Sequence, residues 1–281
     1  MIIIREVDLL QSIIHAQATE QRTVGFTPTM GALHPGHLSL IEKSNATTDI
    51  SVCSIFVNPT QFNESSDLEK YPQTPQADIQ ALESVGCDIL FMPSVESVYP
   101  SGMEQSPAVD LGHLDKVLEA AFRPGHFEGV VQVVSRLLDI VQPDHLFMGQ
   151  KDYQQLAIIR EMIKQQGRRV QLIMGETVRE ASGLAMSSRN VRLTEAFRLK
   201  APSIYQMLQA AKKVLATDPI NTIEQRSIQK LQAIGLKPEY FSIVDGDTLR
   251  PVDDEKASKS IVACTAVWAG DVRLIDNFIL R

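Results

Sequence analysis

Short apolar runs alternate with amphipathic segments through the first 176 residues, and this alternation restricts the fold more than any other feature of the chain. The runs VGFTPT (24–29), DISVCSIFVNP (49–59) and HLFMGQ (145–150) have the composition of buried strands. Helical patterns of about 10 to 15 residues separate such runs, which favours right-handed βαβ units. The pattern predicts an α/β fold with a mostly parallel sheet covered by helices on both faces. Ligands of such sheets bind at the carboxyl ends of the strands.

The pattern changes near Thr177. Helical segments are followed there by three β-rich runs, EYFSIVDG (239–246), SIVACTAVWAG (260–270) and VRLIDNFIL (272–280). We interpret this part as a smaller α+β domain and predict domains at 1–176 and 177–281. A length of 281 residues suits two domains of about 150 residues each. One domain with a large insertion is the alternative.

Composition favours a small-molecule partner. The chain has 27 basic and 34 acidic residues, a formal net charge of −7, and no Lys/Arg-rich block that would bind nucleic acid or a membrane surface. Cys53, Cys87 and Cys264 are widely spaced and form no CxxC pair, which argues against a disulfide framework or a zinc ribbon and fits the cytoplasm. We expect no signal peptide and no transmembrane helix, because no apolar run approaches the ~20 residues of a membrane span.

The segment TMGALHPGHLSL (29–40) places His34 and His37 at a predicted strand-to-helix turn. If the helix begins at Pro35, both rings lie near its N-terminus, where free backbone N–H groups and the macrodipole favour an anion such as phosphate. Gly31 and Gly36 would allow a nucleotide to approach the backbone closely. A surface histidine pair without a role, or half of a metal site, remains open, although the sequence indicates no third zinc ligand.

Four further segments place amides, hydroxyls or cations near predicted strand ends or turns. Amides suit substrate hydroxyls and carboxylates, whereas Lys and Arg suit phosphate oxygens. Each segment also has an ordinary explanation as a loop cap, a surface ion pair or a turn. Walker A, GxGxxG and GxSxG motifs are absent from the sequence. The segments contribute Asn58, Gln61 and Asn63; Arg123 and His126; Gly149, Lys151 and Asp152; and Ser187, Ser188 and Arg189.

Six motifs taken together resemble the pantothenate synthetase, or pantoate–β-alanine ligase, family, within the wider HxGH nucleotidylyltransferase superfamily. The resemblance covers about residues 27–190 and implies a Rossmann-like N-terminal domain that binds ATP and pantoate, a smaller C-terminal domain that closes over the active site, and a homodimer. It also implies that pantoate and ATP form pantoyl adenylate and diphosphate, after which β-alanine displaces AMP to give pantothenate. The motifs are PTMGALHPGH, FVNPTQF, YPQTP, GHFEGV, GQKDYQQ and GLAMSSRN.

The resemblance also implies roles for individual residues. His37 would be the donor in the chemical step, and His34 its phosphate-binding neighbour. Gln61 and Gln155 would bind pantoate in a pocket with Phe62, Met30 and Pro28. The implied ATP-binding residues are Met30, Gly31, Ala32, Leu33, His34, Pro35, Gly36, His37, Gly149, Gln150, Lys151, Asp152, Val178, Met186, Ser187, Ser188 and Arg189.

Three positions depart from the common family pattern. Gln150 stands where Glu is usual, and Gln73 stands where Arg is usual. Ala77 precedes Asp78 where two acidic residues are common, so we expect no protein ligand for a metal here. The Mg²⁺ that accompanies ATP would instead be held by phosphate oxygens and water.

Overall fold

The computed structural model describes residues 1–61, 69, 71–102, 108–252 and 258–281. The chain divides into two compact units: unit 1 comprises 1–111, 123–149 and 158–176, and unit 2 comprises 112–122, 150–157 and 177–281. Residues 112–122 and 150–157 of the predicted first domain are grouped with unit 2, and the domain bounds 1–176 and 177–281 remain a prediction. The functions expected of the two domains remain predictions.

Unit 1 contains a six-stranded sheet in the order β1-β4-β3-β2-β5-β6, and every pair of neighbouring strands is parallel. The predicted fold class is therefore confirmed for this part of the chain. The strands are β1 (Ile2–Ile4), β2 (Val24–Thr29), β3 (Ile50–Ile55), β4 (Ile89–Phe91), β5 (His145–Gly149) and β6 (Gln171–Gly175). The longer helices are α1 (Val7–Thr19), α2 (Pro35–Asn45), α3 (Pro75–Ser84), α4 (His126–Val141) and α5 (Tyr153–Gln165), of which the first five residues of α5 are grouped with unit 2.

The strand order reverses at β2. From β2 the sheet grows through β3 and β4 on one side and through β5 and β6 on the other. A topological switch point therefore lies between β2 and β5, where ligands of doubly wound sheets bind beyond the carboxyl ends of the strands. Thr29 ends β2 and Gly149 ends β5, so two of the predicted ATP-binding segments begin at this switch point.

Helix α2 packs closely on the sheet because β2 carries a glycine. A Cβ atom on Gly25 would overlap the Ser44 hydroxyl of α2 and would lie 2.6 Å from Thr48 Oγ1. Gly25 is paired with both neighbouring strands, to Ser51 in β3 and His145 in β5. The glycine therefore lets the C-terminal end of α2 lie directly over the central strand.

Unit 2 contains a three-stranded antiparallel sheet in the order β7-β8-β9. Its core is apolar and includes Leu208, Leu231 and Phe241. The predicted α+β domain is confirmed, but its first helical run is divided, because Pro202 has no N–H to continue a helical hydrogen-bond ladder. The elements are α6 (Glu195–Lys200), α7 (Ser203–Val214), α8 (Ile220–Ala233), β7 (Lys237–Asp245), β8 (Ile261–Ala269) and β9 (Val272–Ile279).

Across the part of the chain that the structure describes, every helix is too short or too polar to cross a membrane.

Candidate active site

The loop that follows β2 is held by a buried carboxylate. Asp78, on α3, is 2% exposed. Its two carboxylate oxygens accept hydrogen bonds from Ala32 N at 3.0 Å and Leu33 N at 2.8 Å, and one of them also accepts from Thr74 Oγ1 at 3.1 Å. Hydrogen bonds to an ionised acceptor are stronger than neutral ones. Asp78 therefore fixes the main chain immediately before the histidine pair.

The same loop contains two consecutive residues with left-handed backbone geometry. Gly31 has φ +82° and Ala32 has φ +49°. This geometry costs an L-residue such as alanine roughly 1–2 kcal/mol. The hydrogen bonds of Asp78 offset that cost, so the loop keeps a conformation that an isolated peptide would rarely adopt.

His34 and His37 cap helix α2 reciprocally. His34 is the N-cap residue, and its Nδ1 accepts from Gly36 N at 3.2 Å. His37 is the third helical residue, and its Nδ1 accepts from His34 N at 3.3 Å. The ring centroids lie 4.0 Å apart. The arrangement is a capping box. His34 stands at the N-cap position, where Ser or Thr is usual, and His37 stands at the third helical position, where Glu or Gln is usual.

This capping geometry defines the tautomer of both rings. A ring nitrogen that accepts from a backbone N–H carries no proton, so in His34 and His37 the proton of the neutral ring is on Nε2. Protonation of Nδ1 in either ring would break one capping hydrogen bond. In the neutral form of each ring, Nε2–H is therefore the group that can donate a hydrogen bond.

The structure corrects one expectation about this helix start. The sequence predicts that free backbone N–H groups would attract an anion, but the N–H of Gly36 donates to His34 Nδ1 and that of His37 donates to His34 O at 2.8 Å. Pro35 has no N–H. These two amides are hydrogen-bonded to His34 in this structure, and phosphate binding at the helix start remains a prediction.

A one-turn 3₁₀ helix, Pro59–Gln61, carries the predicted pantoate residue Gln61. The preceding Asn58 is fully buried and donates through Nδ2 to Thr60 Oγ1 at 2.8 Å and to Gly129 O at 3.3 Å. Its Oδ1 accepts from Tyr99 OH at 3.2 Å. Asn58 therefore fixes this turn within the protein.

Helix α4 holds the main chain of Gln61. His126 Nδ1 lies 2.8 Å from Gln61 O, and His126 Nε2 lies 2.9 Å from Arg123 Nη1. A guanidinium only donates and a carbonyl only accepts, so His126 is protonated on Nδ1 and donates to Gln61 O. The Gln61 amide nitrogen also contacts Met30 Sδ. The structure thus brings together the predicted pantoate residue and the first residue of the predicted ATP-binding loop.

The predicted residues of unit 2 form two further groups. Gln150–Asp152 is a 3₁₀ turn in which Lys151 Nζ lies 3.5 Å from Asp152 Oδ1. The second group is a hairpin in which Met186 N donates to Val178 O at 3.0 Å. Ser187 then caps the 3₁₀ helix Ser188–Arg192 by accepting from Arg189 N at 3.2 Å. The hairpin therefore brings the predicted adenine contact, Val178, next to the predicted Met186–Arg189 segment.

Two polar residues have positioning contacts that the sequence analysis did not assign. Asp78 appeared there only as a doubtful metal ligand, and Asn277 did not appear at all. A usable signal existed for Asn277: the run VRLIDNFIL contains two adjacent polar residues within an apolar strand, and buried polar groups require partners. Phe62 and Asn63 lie outside the described residues.

The three cysteines are all buried. Burial raises the pKa of Cys87 to about 11 and the pKa of Cys53 well above its ordinary value. Their thiols are therefore protonated at neutral pH, which is unsuitable for a nucleophile.

A doubly wound sheet with a His-Pro-Gly-His helix start at its switch point defines a class, the nucleotide-binding α/β enzymes of the HxGH type. The family model for pantoate-beta-alanine ligase matches residues 2–279. A pantothenate synthetase of Porphyromonas gingivalis is 46% identical over 266 residues, which is 94% of this chain and 94% of that protein. The chain belongs to the pantoate–β-alanine ligase family, and the resemblance seen in the six motifs is confirmed.

Two solved structures extend this similarity to the fold. A pantothenate synthetase from Thermus thermophilus has a TM-score of 0.92 and 38% identity, with 100% of this chain and 99% of that chain covered. A pantoate-beta-alanine ligase from Francisella tularensis, complexed with β-γ ATP and β-alanine, has a TM-score of 0.84 and 36% identity, with 100% and 98% covered.

Proposed function

We propose that the protein condenses pantoate with β-alanine to give pantothenate, AMP and diphosphate. The observation that carries this proposal is the reciprocally capped histidine pair at the switch point of a chain that belongs to the family. A carboxylate oxygen of pantoate attacks the α-phosphorus of ATP, and the bond from that phosphorus to the bridging oxygen breaks to release diphosphate. The amine of β-alanine then attacks the acyl carbon, loses a proton, and displaces AMP.

The histidine pair acts in the first step. Negative charge develops on the phosphate oxygens as the carboxylate attacks, and preorganised donors stabilise such charge without reorganising. We assign to His37 Nε2–H the hydrogen bond that strengthens in the transition state, and to His34 Nε2–H a hydrogen bond to phosphate before and after attack. Because both rings are locked by capping, neither has to rotate to donate.

Pantoate is bound by amides. Two contacts support this role for Gln61: its main-chain carbonyl accepts from His126, and its side-chain amide contacts Met30 Sδ. Gln155, half-buried on α5, is the second proposed amide. An amide can donate to the pantoate carboxylate or hydroxyls and accept from the hydroxyls.

Cationic and hydroxyl side chains of unit 2 bind the phosphates. The side chain of Lys151 is 20% exposed and lies 3.5 Å from Asp152, a loose ion pair that phosphate oxygens can replace. Ser187, Ser188 and Arg189 supply two hydroxyls and a guanidinium from one capped turn. Val178 contacts the adenine.

Magnesium is proposed to enter bound to ATP. Asp78 lies in the segment where the family commonly has two acidic residues. Both of its carboxylate oxygens accept hydrogen bonds from main-chain N–H groups, so Asp78 does not fit a role as a metal ligand. The described residues contain no group of three or more His, Cys, Asp or Glu side chains arranged for a metal. Phosphate oxygens and water are the usual ligands of a nucleotide-bound Mg²⁺.

The reaction is tested by two assays on the purified protein. With ATP, Mg²⁺ and pantoate alone, labelled diphosphate should exchange into ATP, because adenylate formation is reversible. AMP should accumulate steadily only when β-alanine is added. Production of ADP and phosphate would contradict the proposal. A stable adenylated product that β-alanine does not consume would indicate a nucleotidylyltransferase, and intact ATP under all conditions would indicate a regulator.

We also propose a cytoplasmic homodimer, as the resemblance implies and the buried reduced cysteines permit. The chain mass is 31.2 kDa, so light scattering should give twice that value. A mass equal to that of one chain at micromolar concentration would contradict the dimer.

A further inference from the structure

Asn277, on the last strand, is bonded to the main chain of a predicted ATP-binding segment. Its Nδ2 donates to Gln150 O at 2.9 Å and to Lys151 O at 2.8 Å, and its Oδ1 accepts from Gln150 Nε2 at 3.1 Å. The amide orientation is unambiguous, because the two carbonyls only accept. Glutamine at position 150 suits this orientation, since a carboxylate there would place an acceptor against Asn277 Oδ1.

The adjacent residue, Asp276, is bonded to the other predicted phosphate-binding segment of unit 2. It forms a bidentate ion pair with Arg179, with distances of 2.7 and 3.0 Å. Arg179 follows Val178 in the first arm of this hairpin and pairs with Ala185 in the second arm, and its guanidinium donates to Gly183 O at 3.2 Å across the turn. The Arg179 guanidinium lies 3.7 Å from the ring centroid of Tyr205, which fixes its plane further.

The two neighbours serve different segments because successive side chains of a strand point to opposite faces of the sheet. Both are buried, with Asp276 5% and Asn277 1% exposed. A purely apolar strand would bury these positions at less desolvation cost. This desolvation cost is offset by hydrogen bonds. Those of Asn277 hold the segment that contains Lys151, and those of Asp276 hold the hairpin that leads to Arg189.

We infer that Asp276 and Asn277 are positioning residues for ATP: Asn277 sets the main chain that presents Lys151, and Asp276, through Arg179, sets the hairpin that leads to Ser187–Arg189. This inference rests on the proposed ATP-binding roles of those segments. Neither residue is required to touch the nucleotide. Their loss should weaken ATP binding while leaving the binding of β-alanine unchanged.

Steady-state kinetics of two substitutions test the role of Asn277. Asn277→Ala removes all three hydrogen bonds, and the KM for ATP should rise about tenfold or more, because the main chain that presents Lys151 is no longer held in position. Asn277→Ser keeps one donor and should give an intermediate KM for ATP. The KM for β-alanine should change less than twofold in both.

A stability control separates positioning from general destabilisation. Leu208→Ala opens a cavity in the core of unit 2, far in sequence from both segments, and should lower the melting temperature without changing the KM for ATP. All variants are assayed below their melting transitions, as judged by circular dichroism. A folded Asn277→Ala with a KM for ATP within twofold of wild type would overturn the inference.

Two further outcomes are distinguishable. If the wild-type protein forms no adenylate, the proposed function is wrong, and the inference that rests on it is wrong as well. If neither Asn277 variant folds, Arg179→Lys decides: it keeps the charge but loses the bidentate pairing, and it should raise the KM for ATP more than Leu208→Ala does. An unchanged KM for ATP in folded Arg179→Lys would overturn the inference.

Discussion

At the scale of single residues, the histidine pair combines a structural and a chemical function in the same rings. Nδ1 of each ring accepts a capping hydrogen bond, and Nε2–H is the donor proposed for phosphate. A substitution can therefore remove one function and keep the other. Asparagine places an amide oxygen near the position of Nδ1, whereas glutamine reaches the position of Nε2.

His37→Ala should lower the rate of adenylate formation by roughly 10² to 10⁴, the usual scale for a lost acid or oxyanion donor. His37→Gln, which can still donate, should retain more activity than His37→Asn, which can only cap. Diphosphate exchange with pantoate measures these rates, and His15→Ala, an exposed histidine on α1, is the control. If His37→Asn proved as active as wild type, capping and not donation would be the role of this residue.

Asp78 offers a second test at the residue scale. Asp78→Asn replaces one acceptor with an NH₂ group facing a backbone N–H, so the loop at Ala32 and Leu33 should lose its conformation. Adenylate formation should fall about tenfold, corresponding to the ~1–3 kcal/mol of an unsatisfied buried group. Asp88→Asn is the matched control, because Asp88 also accepts from a main-chain N–H, that of Ser51, near the start of β3. Equal losses in the two variants would argue against a specific role for Asp78.

At the scale of elements, the contact between α4 and the turn that carries Gln61 is set by the absence of a side chain. A Cβ on Gly129 would overlap the Thr60 carbonyl and lie 2.8 Å from Gln61 Cα. Helix α4 is otherwise among the most apolar segments of the chain and is buried along most of its length. The helix therefore acts as a fixed support against which the turn is held.

Gly129→Ala should raise the KM for pantoate several-fold, because the turn must move away from α4. Alanine in place of glycine normally stabilises a helix interior by up to ~1 kcal/mol. In Gly129→Ala we expect the opposite, a lower free energy of unfolding, because the new Cβ overlaps the turn. Chemical denaturation and pantoate kinetics measure both effects. Val131→Ala is the control, because Val131 is buried on the opposite side of the same helix from Gly129; it should destabilise α4 and leave the KM for pantoate unchanged. A more stable Gly129→Ala variant with normal kinetics would contradict this view of the contact.

At the scale of the whole molecule, periodicity predicted the parallel sheet and the smaller α+β part, since both depend on local patterns of burial. Short elements without such a pattern were missed: β1 and β4 have three residues each, and α3 begins in a polar segment. Site positions came from the motifs. The contacts that hold the site were not predictable locally, because Asp78 lies 46 residues from Ala32 and Asn277 lies 127 from Gln150.

The central claim is that the carboxylate of pantoate attacks the α-phosphorus of ATP. Pantoate labelled with ¹⁸O in its carboxylate, incubated with ATP, Mg²⁺ and β-alanine, tests this directly by mass spectrometry of the products. One ¹⁸O atom should appear in AMP and none in diphosphate, because the acyl carbon–oxygen bond breaks when the amine attacks. Unlabelled AMP, or label in a released phosphate, would contradict the account.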